Sequence, residues 1–416
     1  MEQEYRFQHP SGLTVLFVPK PGFQERYAMF TVKYGSADIL FQKQSTGMPW
    51  EAPAGIAHFL EHKLFEQPEG SVDGLYAKMG AKSNAFTSTA QTSYLFSCAS
   101  HFEECLRLLL HYVQNPYLTT ENVEKEKGII GQEINMYLDN PDTVLYMNML
   151  RGLYHARSIR NDIAGSIESI GKITPEVLYQ MYHTFYTPKN MLLVVVGDEQ
   201  PETIERIVNE SVEEHWVKGT PTGLTPIYEE EPQEIKQAYI EQKMDVSMPQ
   251  FMIGYKDTDI FSTPLERCKR EVELQILHEL LFGKSSDFYE ELYNEGLIND
   301  GFYNTYELER GYALSILGGE SKEPQAVLER IAKRVEQVEQ GLILQKDFQR
   351  IKNSRYGSFV KQFNSIEGIC RLYTTLGLMD VRVIDYFSLY DKIDFNSVLG
   401  QWKHFDLQKA TLSVVR

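Results

Sequence analysis

The stretch that most constrains this chain is residues 55–65, which read GIAHFLEHKLF. His58, Glu61 and His62 stand at positions i, i+3 and i+4, so on an α-helix their side chains fall within about 100° of arc on one face. Two imidazoles one turn apart can hold a zinc ion, and a carboxylate beside them can accept a proton from a water at the metal. The spacing is the inverted H-x-x-E-H signature of zinc hydrolases. An amphipathic helix with two ordinary histidines would show the same letters, so a third ligand is needed to decide.

A second carboxylate-bearing segment, residues 122–142, offers that ligand. Glu126 and Glu133 are seven residues apart, almost two helical turns, so both point the same way on a helix. One carboxylate could complete a two-histidine, one-glutamate zinc site, and the other could orient a histidine N–H. A solvated acidic face is the alternative reading. However, Glu133 stands among apolar residues such as Ile130 and Ile134, and a carboxylate in that setting needs a partner.

Composition limits the classes of function. The chain has 416 residues with 42% hydrophobic and 24% charged content, which predicts a folded protein of two or three domains. A net charge of −17 argues against nucleic acid as a partner and weakly favours cationic or neutral substrates, although the acidity could serve solubility only. We expect no membrane segment and no export signal. The four scattered cysteines suit reduced thiols, and hence the cytoplasm.

The order of predicted elements repeats along the chain. Strand, strand, helix, helix, strand, strand, helices and a last strand appear once before and once after a segment rich in Pro, Gly, Thr and Glu. We therefore predict an α+β fold with two similar halves, each with helices packed on one face of a mostly antiparallel sheet. The predicted boundaries are a first domain at 1–218, a linker at 219–233 and a second domain at 234–416.

Residues 81–97 are rich in threonine, serine and aromatic residues in a near-alternating pattern, which predicts one or two strands. An exposed strand edge here could pair with an extended peptide through main-chain hydrogen bonds. An ordinary interior strand would give the same pattern.

With these pieces together, the sequence resembles the pitrilysin/insulinase family of inverted-motif zinc peptidases, which includes the mitochondrial processing peptidases. The matching segments are HFLEH at 58–62, SNAFTS at 83–88, EKEKGIIGQEINMYLDNP at 124–141, DIAGSIESI at 162–170 and FYTPKNMLLVVVGD at 185–198. The likeness is dense in the first half and thinner in the second, where residues 283–300 correspond to a family segment.

The resemblance implies a role for each matching residue. It implies three zinc ligands, which are His58, His62 and Glu133. It implies Glu61 as the general base and Glu126 as an outer carboxylate behind the ligands. It also implies a substrate-binding edge strand, formed by Asn84, Ala85 and Phe86.

One departure from the family pattern concerns its second half. Active homodimeric relatives carry an Arg and a Tyr there that bind substrate and stabilise the oxyanion, but this chain has Tyr293 and Asn299 at those places. Each missing oxyanion donor costs on the order of 3 kcal/mol, or a hundredfold in rate. We therefore expect a related, zinc-less partner chain to supply the missing residues.

The predicted function is that of a zinc-dependent endopeptidase acting on short or unstructured peptides, as the zinc-bearing subunit of a heterodimer. The alternatives are a scaffold subunit without catalysis and a peptide-binding module without turnover. The second half has no H-x-x-E-H of its own, and its His278-Glu279 pair is interpreted as structural.

Overall fold

The computed structural model describes residues 3–258, 263–342 and 345–416. In these residues the strands are β1 (Tyr5–Gln8), β2 (Thr14–Pro19), β3 (Arg26–Val32), β4 (Leu40–Lys43), β5 (Pro49–Glu51), β6 (Glu66–Gln67), β7 (Gly70–Ser71), β8 (Lys82–Thr87), β9 (Thr92–Cys98), β10 (Met191–Gly197), β11 (Leu224–Pro226), β12 (Tyr239–Gln242), β13 (Gln250–Asp257), β14 (Tyr303–Glu309), β15 (Tyr312–Glu320) and β16 (Ala410–Val415).

The α-helices of the same residues are α1 (Ile56–Leu64), α2 (Val72–Lys78), α3 (Phe102–Gln114), α4 (Thr120–Leu138), α5 (Pro141–Leu153), α6 (Ile167–Gly171), α7 (Pro175–Phe185), α8 (Pro201–Ser211), α9 (Glu214–Lys218), α10 (Pro264–Phe282), α11 (Asp287–Asn294), α12 (Pro324–Glu339), α13 (Gln345–Lys361), α14 (Ile366–Leu378), α15 (Val383–Lys392) and α16 (Phe395–Leu399). No helix among the described residues is both long and apolar enough to cross a bilayer.

The chain forms two compact units, and neither is continuous in sequence. Unit 1 comprises Met1–Ile134, Asn161–Glu229 and Gln362–Arg382. Unit 2 comprises Asn135–Arg160, Glu230–Lys361 and Val383–Arg416. These units differ from the continuous division at 1–218 and 234–416 that the sequence predicts, because each takes in one segment from the opposite part of the chain.

Unit 1 is built on a six-stranded sheet with the order β1-β2-β10-β3-β9-β8. The pair β2 and β10 is parallel and the other neighbours are antiparallel. The central strands are made almost entirely of buried apolar residues, and β10 (MLLVVVG) is buried along its whole length. Strand β8 lies at the free edge of this sheet, next to the hairpin that joins it to β9.

Unit 2 repeats this plan with a five-stranded sheet of order β12-β16-β13-β15-β14. Its parallel pair is β12 and β16, followed by antiparallel β13, β15 and β14. Helices α10 and α11 lie in sequence between β13 and β14, as α1 and α2 lie between β3 and β8. The predicted α+β class with two similar halves is therefore confirmed, and the sheets are mixed.

The structure adds one helix on the second face of each sheet. In unit 1, Tyr94 and Phe96 contact aromatic residues of α3 and α2 on one face. Helix α14 covers the other face, where a Cβ on Gly377 would lie 2.8 Å from Leu192 Cδ2. Helix α5 does the same in unit 2, where a Cβ on Gly254 would lie 2.5 Å from Met149 Sδ. At both positions an added Cβ would force a neighbouring side chain to shift, so glycine allows the close approach of helix and sheet.

Two segments predicted as irregular contain strands. The polar composition of residues 35–53 predicts a loop, and residues 219–233 are the predicted linker. Instead β4 pairs with β5 in the first segment and with β11 in the second, which gives a small three-stranded sheet in unit 1. Proline and glycine in both segments hide these short strands from a pattern-based prediction.

Candidate metal centre

The N-terminus of α1, the helix that contains the inverted motif, is held by close packing against another segment. Gly55, its N-cap residue, has a φ of 89°, and a Cβ there would lie 2.3 Å from the carbonyl oxygen of Ala164. The hydroxyl of Ser169 donates to the carbonyl oxygen of Ala54 over 2.7 Å. Residues 162–170, one of the family-like segments, therefore hold the start of α1 and with it the orientation of the motif.

The structure brings His58 and His62 of α1 together with Glu133 of α4. Nε2 of His58 lies 3.7 Å from Oε1 of Glu133, and Nε2 of His62 lies 3.7 Å from Oε2 of the same carboxylate. One ligand atom from each residue lies within 4.8 Å of the others. Tetrahedral zinc with bonds of about 2.0–2.2 Å separates its ligand atoms by roughly 3.3–3.6 Å. The two nitrogen–oxygen distances therefore nearly match a zinc site, and the widest separation in the set would close by roughly 1 Å around the ion.

Glu126 sets the orientation of the second imidazole. Its Oε1 lies 3.1 Å from Nδ1 of His62. A carboxylate at this distance favours the proton on Nδ1, which leaves the lone pair of Nε2 for a metal. On the other side of Glu126, Nζ of Lys63 lies 3.5 Å from Oε2. Lys63 is fully buried and also pairs with Glu66, so the carboxylate of Glu126 is held from both sides.

The first imidazole has a different environment. Nδ1 of His58 is buried, and the described residues offer it no hydrogen-bond partner. Its ring lies 4.6 Å from the ring of His62, centroid to centroid. Nε2 is therefore the nitrogen of His58 that is able to reach another group, and it faces Glu133.

The electrostatics of the cluster favour a bound cation. Burial and the neighbouring His62 lower the pKa of His58 to about 4, so its imidazole is neutral at pH 7. Burial alone would lower the pKa of His62, but the hydrogen bond to Glu126 and three nearby carboxylates raise it overall. For Glu126, burial alone would raise the pKa, but His62 and Lys63 outweigh burial and lower the pKa overall. Two imidazoles beside several carboxylates in a partly dry site are a donor set suited to Zn²⁺.

Glu61 lies on the same helix face as the two histidines and is 8% exposed. Burial raises its pKa, and a hydrogen bond from Thr87 opposes that rise. The hydroxyl of Thr87 donates to Oε2 of Glu61 over 2.6 Å. A carboxylate with a raised pKa beside a metal cluster is a suitable proton acceptor.

The three residues predicted to bind substrate lie on β8. The N–H of Ser88 donates to the carbonyl oxygen of Gln91 across the hairpin. Because inward and outward backbone groups alternate along an antiparallel strand, the N–H of Ala85 points away from β9. Its acceptor is the side chain of Asn84, at 2.9 Å. The side chain of Phe86 lies under the guanidinium of Arg371, 5.1 Å from the ring centroid.

Tyr293 and Asn299, the two departures from the family pattern, lie in unit 2. Tyr293 is half exposed and stacks on Tyr289 at 5.9 Å. The amide of Asn299 donates to Glu320 over 2.7 Å and accepts from the N–H of Gly301 over 2.9 Å. The side chain of Asn299 is thus held by its own surroundings.

Sequence reasoning missed two polar residues of this centre, Lys63 and Thr87. Lys63 follows the motif directly, but a lysine on an amphipathic helix is normally predicted to be exposed to solvent. Its only sequence signal is that Glu126, if buried, needs a cation. Thr87 belongs to the SNAFTS segment, and strand alternation places it on the face opposite to Phe86. Strand alternation does not show that the hydroxyl of Thr87 reaches Glu61.

The fold and the cluster together define a class, the two-unit α+β proteins with a cluster of potential metal ligands on an inverted H-x-x-E-H motif. Residues 46–166 match the family model "Insulinase (Peptidase family M16)", and residues 172–355 match "Peptidase M16 inactive domain". The chain is 40% identical over 400 residues to YmfH of Bacillus subtilis, described as an uncharacterized zinc protease, with 95% of this chain and 92% of YmfH covered. The chain therefore belongs to the insulinase family of peptidases, family M16.

Other relatives agree with this assignment. The zinc protease PqqE of Helicobacter pylori is 25% identical over 392 residues, which cover 89% of this chain and 84% of PqqE. A crystal structure from Alicyclobacillus acidocaldarius, described as M16-like, superposes with a TM-score of 0.93 at 32% identity, covering 100% of this chain and 98% of the other. A protease structure from H. pylori shares the fold alone, with a TM-score of 0.82 at 20% identity over the full length of both chains.

Proposed function

We propose that this chain is a zinc-dependent endopeptidase that hydrolyses short or unstructured peptides. The observation that carries the proposal is the convergence of His58, His62 and Glu133 from two helices, with Glu61 beside them. A structural role for these residues would not require the buried Glu126 to fix one imidazole. The relatives named zinc proteases support the same function.

The residues divide the chemical work as follows. His58, His62 and Glu133 would hold a zinc ion, which would polarise the scissile carbonyl and make the attacking water more acidic. Glu61 accepts the proton of that water and passes it to the leaving amine. The outward main-chain groups of β8 align an extended peptide as an added strand, once Asn84 releases the N–H of Ala85.

A heterodimer is part of the proposal. Tyr293 and Asn299 replace the Arg and Tyr that the family pattern leads us to expect, and Asn299 is held by Glu320 and Gly301. A related chain without the zinc motif would supply the missing donors. We also propose the cytoplasm as the compartment, because the four cysteines are free, buried thiols, which a reducing environment maintains.

The first experiment measures zinc content and hydrolysis of a quenched fluorescent peptide library by the purified chain, alone and after co-purification from its native cell. We expect one zinc per chain and turnover that rises strongly with a co-purifying chain of similar size. Glu61→Gln should keep the zinc and lose hydrolysis. The matched control is Glu124→Gln, since Glu124 is 62% exposed and pairs only with Lys127 among the described residues.

The results that contradict the proposal are distinct for each part. A Glu61→Gln variant as active as the wild type removes Glu61 from the role of base. A chain that binds no zinc removes the peptidase function. Full family-level turnover by the chain alone removes the need for a partner.

Peptide binding without turnover is the second candidate function. It is favoured by the side-chain amide of Asn299, which already donates to Glu320 and so is not available to stabilise an oxyanion. This candidate predicts zinc and peptide affinity but no cleavage, even with a partner present. A scaffold subunit predicts neither zinc nor peptide affinity.

A further inference from the structure

The hydrogen bond between Thr87 and Glu61 connects the motif helix α1 with the edge strand β8. Glu61 lies on α1 and Thr87 ends β8, the edge strand. The described residues offer the Glu61 side chain one donor, the hydroxyl of Thr87 at 2.6 Å. Among the described residues, the second oxygen of the carboxylate has no hydrogen-bond donor, so it is available to accept a proton.

Thr87 itself lies against a buried polar residue of the next strand. Its Oγ1 lies 3.3 Å from that of Thr92, which is fully buried and donates to the carbonyl oxygen of Tyr34 over 2.9 Å. An ionised carboxylate can only accept, so the single proton of Thr87 is donated to Glu61, while the proton of Thr92 is used on the carbonyl oxygen of Tyr34. The approach of the two threonine hydroxyls is therefore a close polar contact with no proton between the two oxygens.

We propose that Thr87 is a positioning residue, whose hydroxyl holds one oxygen of Glu61 so that the other oxygen is aimed at the proton it must accept. This inference rests on the peptidase function proposed above. A carboxylate at the end of a glutamate side chain rotates freely unless a partner fixes it, and a general base works only within hydrogen-bond reach of its proton. The hairpin from β8 to β9 thus orients the base as well as the peptide.

The test compares Thr87→Val, which keeps the branched shape but removes the hydroxyl, with Thr87→Ser, which keeps the hydroxyl. We expect kcat to fall on the order of tenfold to a hundredfold in Thr87→Val, the rate equivalent of one charge-assisted hydrogen bond. KM and zinc content should stay within about twofold, and Thr87→Ser should restore most of the rate. Thr31→Val is the matched control, because it removes a buried hydroxyl bonded to Ser93 in the same sheet.

The wild type and Glu61→Gln are measured in parallel, so that a failure of the peptidase function is recognised by a wild type that is as inactive as Glu61→Gln. Crystal structures of the zinc-loaded wild type and Thr87→Val then test the inference without turnover. We expect the Glu61 carboxylate to change rotamer or become disordered in Thr87→Val. An unmoved carboxylate, an unchanged kcat, or a rise in KM alone would overturn the positioning role.

Discussion

Replacing Glu126 by glutamine tests how the centre controls its second imidazole. The side chain of Glu126 is 10% exposed and lies 3.1 Å from Nδ1 of His62, so water has little room to replace a lost bond. A hydrogen bond between charged groups contributes about 1.5–3 kcal/mol. Outer partners of metal-bound histidines typically change metal affinity by about 10- to 100-fold. We expect zinc to bind Glu126→Gln about 10- to 100-fold more weakly, since the amide is a poorer acceptor and carries no charge.

The measurement is a competition between the metal-free protein and a chromophoric zinc chelator, followed by absorbance. Glu124→Gln is the control, two residues earlier on the same helix and exposed. Thermal unfolding of each metal-free variant separates zinc affinity from stability, because Lys63 loses one of its two carboxylate partners in Glu126→Gln. An affinity within about twofold of the wild type would refute the view that Glu126 prepares His62 for the metal.

Two further predictions concern stability. Gly55→Ala should destabilise the protein by about 2 kcal/mol or more, because alanine at a φ of 89° is strained and its Cβ meets Ala164; thermal unfolding checks this against Gly74→Ala, whose added Cβ meets nothing within 4 Å. Burial lowers the pKa of His404 to about 4 despite the nearby Asp257 carboxylate. The unfolded chain therefore takes up this proton first, and stability should fall by on the order of 3 kcal/mol as the pH drops from 6.5 to 4. Denaturant unfolding of the wild type and His404→Leu at pH 7 and pH 5 tests this, and an equal loss in both would contradict it.

Local sequence patterns predict much of the candidate metal centre. The 3.6-residue period predicts the helix of His58 and His62, and the seven-residue spacing predicts that Glu126 and Glu133 share a face. The structure places all four side chains in one cluster. Their roles remain a proposal, but their proximity follows from two helices whose periodicity is plain in the sequence.

The remaining features of the fold and of the centre depend on contacts between segments that are distant in sequence, and no local sequence pattern predicts those contacts. Helix α14 is amphipathic, yet nothing in its sequence shows that it covers the sheet of unit 1, where Cys370 bonds to the carbonyl oxygen of Val194, 176 residues earlier. Thr87 and Lys63 are polar residues that acquire buried partners only when another element packs against them. Such residues read as ordinary strand and surface positions until the fold is known.

The duplication leads to a last prediction, that the chain binds one zinc and not two. In unit 2, α10 occupies the place that α1 has in unit 1, and it carries the pair His278-Glu279. Nε2 of His278 lies 2.6 Å from the hydroxyl of Ser315 and the residue is 1% exposed, so this nitrogen is used inside the core. Among the described residues, the group that can hold a metal is that of unit 1. Zinc titration followed by elemental analysis should give one equivalent per chain and none for the double variant His58→Ala, His62→Ala; a second tight equivalent, or one that survives in the double variant, would place metal chemistry elsewhere in the molecule.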